Sequence, residues 1–135
     1  MAKLMLGTDI CIDVMRERSP GIRRHLERTT PDRVAISSIV AAELWTGAMK
    51  SREPQAVAAA ITGFFAFVTI LDWPAAAAEI YGKLRAKLER AGQLIGAIDM
   101  LIAAHALHEQ ATLVTRNQAE FRRVTGLKLQ SWSDL

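Results

Sequence analysis

The chain has 135 residues, 50% of them hydrophobic, 23% charged and 6% aromatic, and a net charge of +3. This length supports a single domain over residues 1–135 with one sizeable core, and the composition excludes a largely disordered protein. The single cysteine, Cys11, excludes an internal disulfide framework or a cysteine metal cluster and is expected to serve as small core filler.

The opening run, Met1 to Leu6, is too short for a signal peptide, and no stretch reaches bilayer-spanning length. A cytoplasmic protein without membrane association is therefore expected. The modest basic excess permits a polyanionic partner without demanding one.

Lys3 to Leu6 reads as a short strand ending at Gly7-Thr8-Asp9, followed by a helix over Ile10 to Arg16. Thr8 or Asp9 is a candidate N-cap, so Asp9 has a structural reading beside a functional one. Gly7 at a strand end implies a tight turn or a close backbone approach. After the break at Ser19-Pro20-Gly21, Ile22 to Thr29 forms a short basic surface helix anchored by Leu26. His25 is assigned no role.

Pro31-Asp32-Arg33 leads into a second strand, Val34 to Ile36. Ser37 and Ser38 are then N-cap candidates for a helix carrying Ile39, Val40, Glu43, Leu44 and Trp45. Glu43 intrudes on an apolar stripe, which suits either a salt bridge or a site. Gln55 to Phe67 reads as an Ala-rich helix whose phenylalanines offer surface to the core or to a second copy of the chain. Val68 to Leu71 is a third strand. Trp73-Pro74 opens a long helix, Ala75 to Ala91, with proline in its first turn.

The loop Gly92 to Gly96 enters a nearly all-apolar helix with Asp99 in its first turn. Ile102 and Ala103 share the face of Asp99, so this carboxylate needs a partner. Either the first-turn N–H groups supply it, or Asp99 belongs to a site. His105 lies off that face and reads as a polar residue at the helix surface.

Thr112 to Thr115 is a fourth strand, with Arg116 to Phe121 at its carboxyl end, where open α/β sheets place their sites. Asn117 and Glu120 have the spacing of a capping box. Gly126 to Gln130 is the last strand, with Trp132 just beyond.

Alternating strands and helices imply an α/β fold with a mainly parallel central sheet of about four to five short strands flanked by helices. That topology lets Asp9, Glu43, Asp99, Asn117 and Glu120 converge at the strand carboxyl ends. Acids gathered there repel unless a cation holds them, and hard oxygen donors suit Mg²⁺ or Mn²⁺. Such a site serves phosphoryl chemistry.

Four segments in order carry a resemblance: Leu6-Gly7-Thr8-Asp9-Ile10-Cys11-Ile12, Ile36-Ser37-Ser38 to Ala42-Glu43-Leu44, Ile95-Gly96 to His105-Ala106, and Val114-Thr115-Arg116-Asn117 through Glu120-Phe121. With Gly126-Leu127 and Trp132, they resemble the PIN-domain ribonucleases. Within these the chain is most similar to VapC toxins of bacterial type II toxin-antitoxin pairs, in the branch that cleaves initiator tRNA in the anticodon loop.

The resemblance implies a PIN-like fold, Glu43 and Asp99 as metal-site carboxylates, and Asp9, Asn117 and Glu120 as nearby polar supports. Thr8 and Ser38 would orient the ligands. It also implies a homodimer and a VapB-type antitoxin whose inserted segment offers an arginine to the acids. Operator DNA would be bound only through that antitoxin.

One departure stands out. The family's first acidic metal ligand belongs at position 7, where this chain has Gly7. Either Gly7 marks a disabled toxin, or Asp9 or a water completes the site. Three functions follow: a Mg²⁺-dependent endoribonuclease acting on tRNA, a weakened PIN module that binds RNA or antitoxin without cutting, and a metal-dependent DNA nuclease.

Overall fold

In the computed structural model, which describes residues 3–16, 20–30 and 32–132, the short apolar runs become five strands. These are β1 (Leu4–Leu6), β2 (Val34–Ser37), β3 (Thr69–Leu71), β4 (Thr112–Val114) and β5 (Lys128–Gln130). Between them run α1 (Thr8–Met15), α2 (Pro20–Glu27), α3 (Ser38–Lys50), α4 (Pro54–Phe64), α5 (Ala77–Ala91), α6 (Ala97–Glu109) and α7 (Gln118–Phe121).

The sheet order is β3-β2-β1-β4-β5 and every neighbouring pair is parallel. Leu4 is level with Val34 on one side and with Thr112 on the other. The chain steps outward from β1 to β2 and β3, then returns to the far side of β1 for β4 and β5. This reversal separates the β1 and β4 ends, and the crevice at such a switch point is where parallel sheets carry sites.

β2 is buried throughout, whereas β3, at one edge, exposes Thr69 and Ile70. Met5, Ile36, Leu113 and Val114 from the central strands pack with Val40 of α3 and Ile102 of α6. Each such side chain contributes roughly 1.5–3 kcal/mol by leaving water. α6 packs on both α5 and α3, which explains a helix without a polar face over its middle turns. Gly92 ends α5 at φ 65°, the left-handed conformation that favours glycine.

Several boundaries differ from expectation. α1 starts at Thr8, so Gly7 occupies the N-cap and neither Thr8 nor Asp9 does. α2 starts at Pro20 itself, and Leu26 is its buried anchor. The aromatic helix stops at Phe64, and Phe65–Phe67 form a 3₁₀ turn. Pro74 precedes α5 in a turn whose carbonyl accepts the Ala77 N–H, rather than lying in the helix's first turn. Ser19, Pro31 and the first two residues of the opening run lie outside the described residues. Cys11 is buried, and burial pushes its thiol pKa up, as befits a core filler. No described helix is long and apolar enough to cross a membrane.

Candidate active site

A pocket of about 290 Å³ opens beyond the ends of β1 and β4, and Gly7, Asp9, Glu43, Asp99 and Asn117 line it. The topology thus brings together acids that are distant in sequence. Their environments differ.

Asp9, in the first turn of α1, is held from several directions. Its Oδ1 accepts the Ile10 N–H at 2.8 Å, and its Oδ2 accepts the Arg116 N–H at 2.8 Å and the Thr115 hydroxyl at 3.2 Å. The carboxylate ties α1 to the segment after β4. Asp13, one turn further on, is buried and paired with Arg116, whose Nε lies 2.8 Å from Oδ2. Neither Asp13 nor Arg116 was a candidate from sequence.

Glu43 is half-buried on α3, and the Thr8 hydroxyl donates to its Oε1 at 2.5 Å. The stripe of Ile39, Val40 and Leu44 seats its helix on the core and turns the carboxylate to the rim. Its donor is a neutral hydroxyl rather than a cation, which favours the site reading over the salt bridge.

Asp99 is half-buried at the start of α6 and receives no N–H from its own helix; its neighbour is the Glu120 carboxyl. Burial first, and then Glu120, Glu43 and Asp9, push its pKa up to about 6. Burial and the surrounding acids thus favour the protonated form of Asp99.

Glu120 bridges two segments. Its Oε1 accepts the Gly96 N–H at 3.1 Å, and its Oε2 accepts from the Asn117 amide in a short hydrogen bond. Asn117 occupies the N-cap of α7 but makes no side-chain capping bond. The expected capping box is therefore replaced by a side-chain pair. Ser38, expected to orient the ligands, instead accepts the Trp73 N–H on its Oγ at 3.0 Å.

Gly7 has φ −73°, which any residue adopts. Its significance is one of space. A Cβ there would lie 3.1 Å from Asp9 Oδ1 and 3.3 Å from the Val114 carbonyl oxygen, so a longer residue requires a small shift of Asp9.

His105 corrects the sequence expectation most sharply. It is completely buried, with Nδ1 2.8 Å from Ser37 Oγ. Burial lowers its pKa below the ordinary histidine value. His25, given no role, stacks on the buried Trp132 with ring centroids 5.1 Å apart.

Comparison with known proteins adds an independent observation. Residues 4–127 match the PIN domain. The chain is 39% identical over 133 residues to the tRNA(fMet)-specific endonuclease VapC of Shigella flexneri, covering 98% of this chain and 100% of that one. The chain belongs to the VapC toxin family of PIN-domain proteins.

Ribonuclease VapC2 of Rickettsia felis is 40% identical over 129 residues, covering 95% of this chain and 96% of the relative. The DNA-bound VapBC crystal structure from Salmonella typhimurium superposes with a TM-score of 0.93 at 37% identity, covering 98% of this chain and 100% of that one. The expected PIN-like fold, with a mainly parallel sheet of about four to five strands, is observed with five strands, all parallel.

For a VapC-family pocket, the fit to a divalent ion depends on which oxygens remain available. Among the described residues, no group of three His, Cys, Asp or Glu side chains is close enough to hold an ion. Asp9 is occupied by protein donors, and Gly7 offers no ligand. Asp99 and Glu43 remain, facing the same pocket. Two carboxylates completed by waters are a normal Mg²⁺ set, because this ion dehydrates reluctantly. The donor chemistry fits a loosely held, water-rich ion rather than a closed protein cage.

Proposed function

We propose that this VapC-family chain, as one domain over residues 1–135, is a divalent-metal-dependent endoribonuclease acting on tRNA in the cytoplasm, with activity curtailed by Gly7. The observation that carries this reading is Asp99. Its carboxyl is driven up to about 6 by burial and surrounding acids at the β1/β4 switch point.

In this reading Asp99 and Glu43 hold Mg²⁺ or Mn²⁺, which when bound supplies an activated water and offsets charge at a phosphodiester. Thr8 fixes the Glu43 carboxylate by donating to Oε1. Glu120, anchored by Gly96 and Asn117, keeps negative charge beside Asp99. Asp9 holds the β1 and β4 ends together.

The chain's relatives support an antitoxin partner, since the Salmonella structure is a VapBC complex bound to DNA. A groove of about 390 Å³ includes Ile12, Leu44 and Val57 and shares Glu43 with the site pocket. An antitoxin segment lying there reaches the acids directly. We assign operator DNA to that partner and expect a homodimer.

The test is cleavage of total tRNA with Mg²⁺ or Mn²⁺ present and absent, for this chain beside Gly7→Asp. Metal-dependent fragments from the variant alone establish the nuclease and mark Gly7 as the lesion. Equal cleavage by both means that the present site suffices. A second reading, a module that binds RNA or antitoxin without cutting, is favoured by the missing position-7 ligand. Retained RNA with no fragments from either protein selects it. Cleavage of single-stranded DNA in preference to structured RNA selects the DNA nuclease instead.

A further inference from the structure

A chain of buried polar groups links the helix bearing Glu43 to the helix bearing Asp99. His105 of α6 approaches Ser37 with Nδ1 at 2.8 Å from Oγ. Ser37 is the N-cap of α3, and its Oγ accepts the Ile39 N–H at 3.1 Å. On the opposite edge of the ring, Nε2 has no hydrogen-bond partner, and Glu109 Oε2 stands 3.9 Å away. Glu109 also holds Lys3 Nζ at 2.7 Å.

One tautomer serves all these contacts. With its proton on Nε2, facing Glu109, the imidazole accepts the Ser37 hydroxyl proton at Nδ1 while Ser37 Oγ accepts the Ile39 N–H. With the proton on Nδ1, Ser37 would receive two N–H groups and its own hydroxyl proton would have no acceptor among them.

Carboxylate, imidazole and hydroxyl in sequence form the order of a hydrolytic triad. Here Ser37 and His105 are both 0% exposed. No substrate reaches the hydroxyl, whose lone pair already caps a helix. A second strap runs in parallel: Ser38 Oγ accepts the Trp73 N–H at 3.0 Å, and the Trp73 indole donates to the Leu101 carbonyl at 2.9 Å. The first turn of α3 is thus fastened to α6 at two levels, just beyond Asp99.

We propose that His105, acting through the Ser37 cap, is a positioning residue that sets the separation of the Glu43 and Asp99 carboxylates. This rests on reading those two acids as the metal pair. Removing either relay partner lets α3 turn or slide against α6, and the pair opens.

The test uses Ser37→Ala, His105→Leu and His105→Asn, each in the present chain and in Gly7→Asp. The asparagine amide stands close to where Nδ1 stood and can keep the bond to Ser37. Mn²⁺ affinity is titrated by electron paramagnetic resonance, with folding checked by circular dichroism and thermal unfolding. Ser37→Ala and His105→Leu should weaken Mn²⁺ by about 10-fold, the usual effect of losing a group that orients a ligand. His105→Asn should recover most of that loss. Leu26→Ala, a core truncation in α2, should lose stability without losing affinity.

Unchanged affinity in folded Ser37→Ala and His105→Leu, or an equal loss in Leu26→Ala, overturns the proposal. If no protein in the series binds Mn²⁺, the metal reading fails and geometry decides this one. Crystal structures of the parent and His105→Leu should then differ by about 1 Å in carboxylate separation, a displacement large enough to matter for catalysis. An unaltered separation overturns it.

Discussion

Two pairs of acids near the same rim have opposite surroundings. On α1, Asp9 receives the Ile10 and Arg116 N–H groups and the Thr115 hydroxyl, while Asp13 receives the Arg116 guanidinium. Arg116 therefore serves both, one with its backbone and the other with its side chain. On α3 and α6, Glu43 receives a single hydroxyl and Asp99 faces another carboxyl. Proximity to the switch point does not distinguish the two pairs. The supply of protein donors does, and an acid whose lone pairs are filled has little left for a cation.

The strongest attempt to break this division is Gly7→Asp. If Glu43 and Asp99 are the available ligands and position 7 lacks the third, the variant should gain at least about 100-fold in metal-dependent tRNA cleavage, the scale of one preorganised charge-stabilising group. Adding Asp99→Asn should abolish that gain and take activity to the parent's level or below. The gain is reduced by crowding, since the new Cβ meets Asp9 Oδ1 at 3.1 Å and the Val114 carbonyl at 3.3 Å. A variant no more active than its parent would mean that Asp9 already acts as the third ligand, despite its protein donors.

The α1 pair is tested by stability. Arg116→Ala leaves the buried Asp13 without its ion-pair partner and should cost about 1–3 kcal/mol in urea unfolding. The expectation stays below that for a fully buried pair because the Arg116 side chain is 57% exposed. Asp9→Asn keeps one acceptor oxygen and should cost about 1 kcal/mol, with Mn²⁺ affinity unchanged. Asp99→Asn should do the reverse, abolishing Mn²⁺ binding without destabilising the fold. An Asp9→Asn protein that is fully stable yet binds no metal would exchange the roles assigned to the two pairs.

Much of this was legible in the chain. Short apolar runs closed by turn residues marked the strands, and alternation with helices placed Asp9, Glu43, Asp99, Asn117 and Glu120 at one rim; the first four line one pocket, and Glu120 lies beside Asp99. The roles were harder to read because they depend on donors brought in by tertiary structure. Arg116 and Asp13 are 103 residues apart, and the sole local hint was that Asp9 and Asp13 share a helix face. Asn117 and Glu120 had capping-box spacing, but their side chains bond to each other.

His105 departs from its expected surface position for a different reason. Lying off the Asp99 face does not place a residue at the surface of α6, because this helix is apolar on nearly every side. A helix without a polar face is buried all round, and Ile102, Ala103, Ala104 and Ala106 are all buried beside the imidazole. That composition was the available signal.

The smallest effect, and the one that isolates Asp99 from its neighbours, is its pH dependence without metal. Folding raises this carboxyl from 3.8 to about 6, with burial the leading cause and Glu120, Glu43 and Asp9 adding to it. A raised carboxyl pKa means that the folded state binds the proton more tightly than the unfolded chain. The associated stabilisation is complete below pH 3.8, declines as pH rises toward about 6, and is gone above it. Relative to Asp99→Asn, the parent should lose melting temperature across that window, by under about 4 °C because the group is half-exposed. Mn²⁺ should then raise the parent's melting temperature above pH 6, where Asp99 is ionised, and leave Asp99→Asn unmoved. Parallel pH profiles for the two proteins would place the excess negative charge elsewhere on the rim and remove the observation on which the metal reading stands.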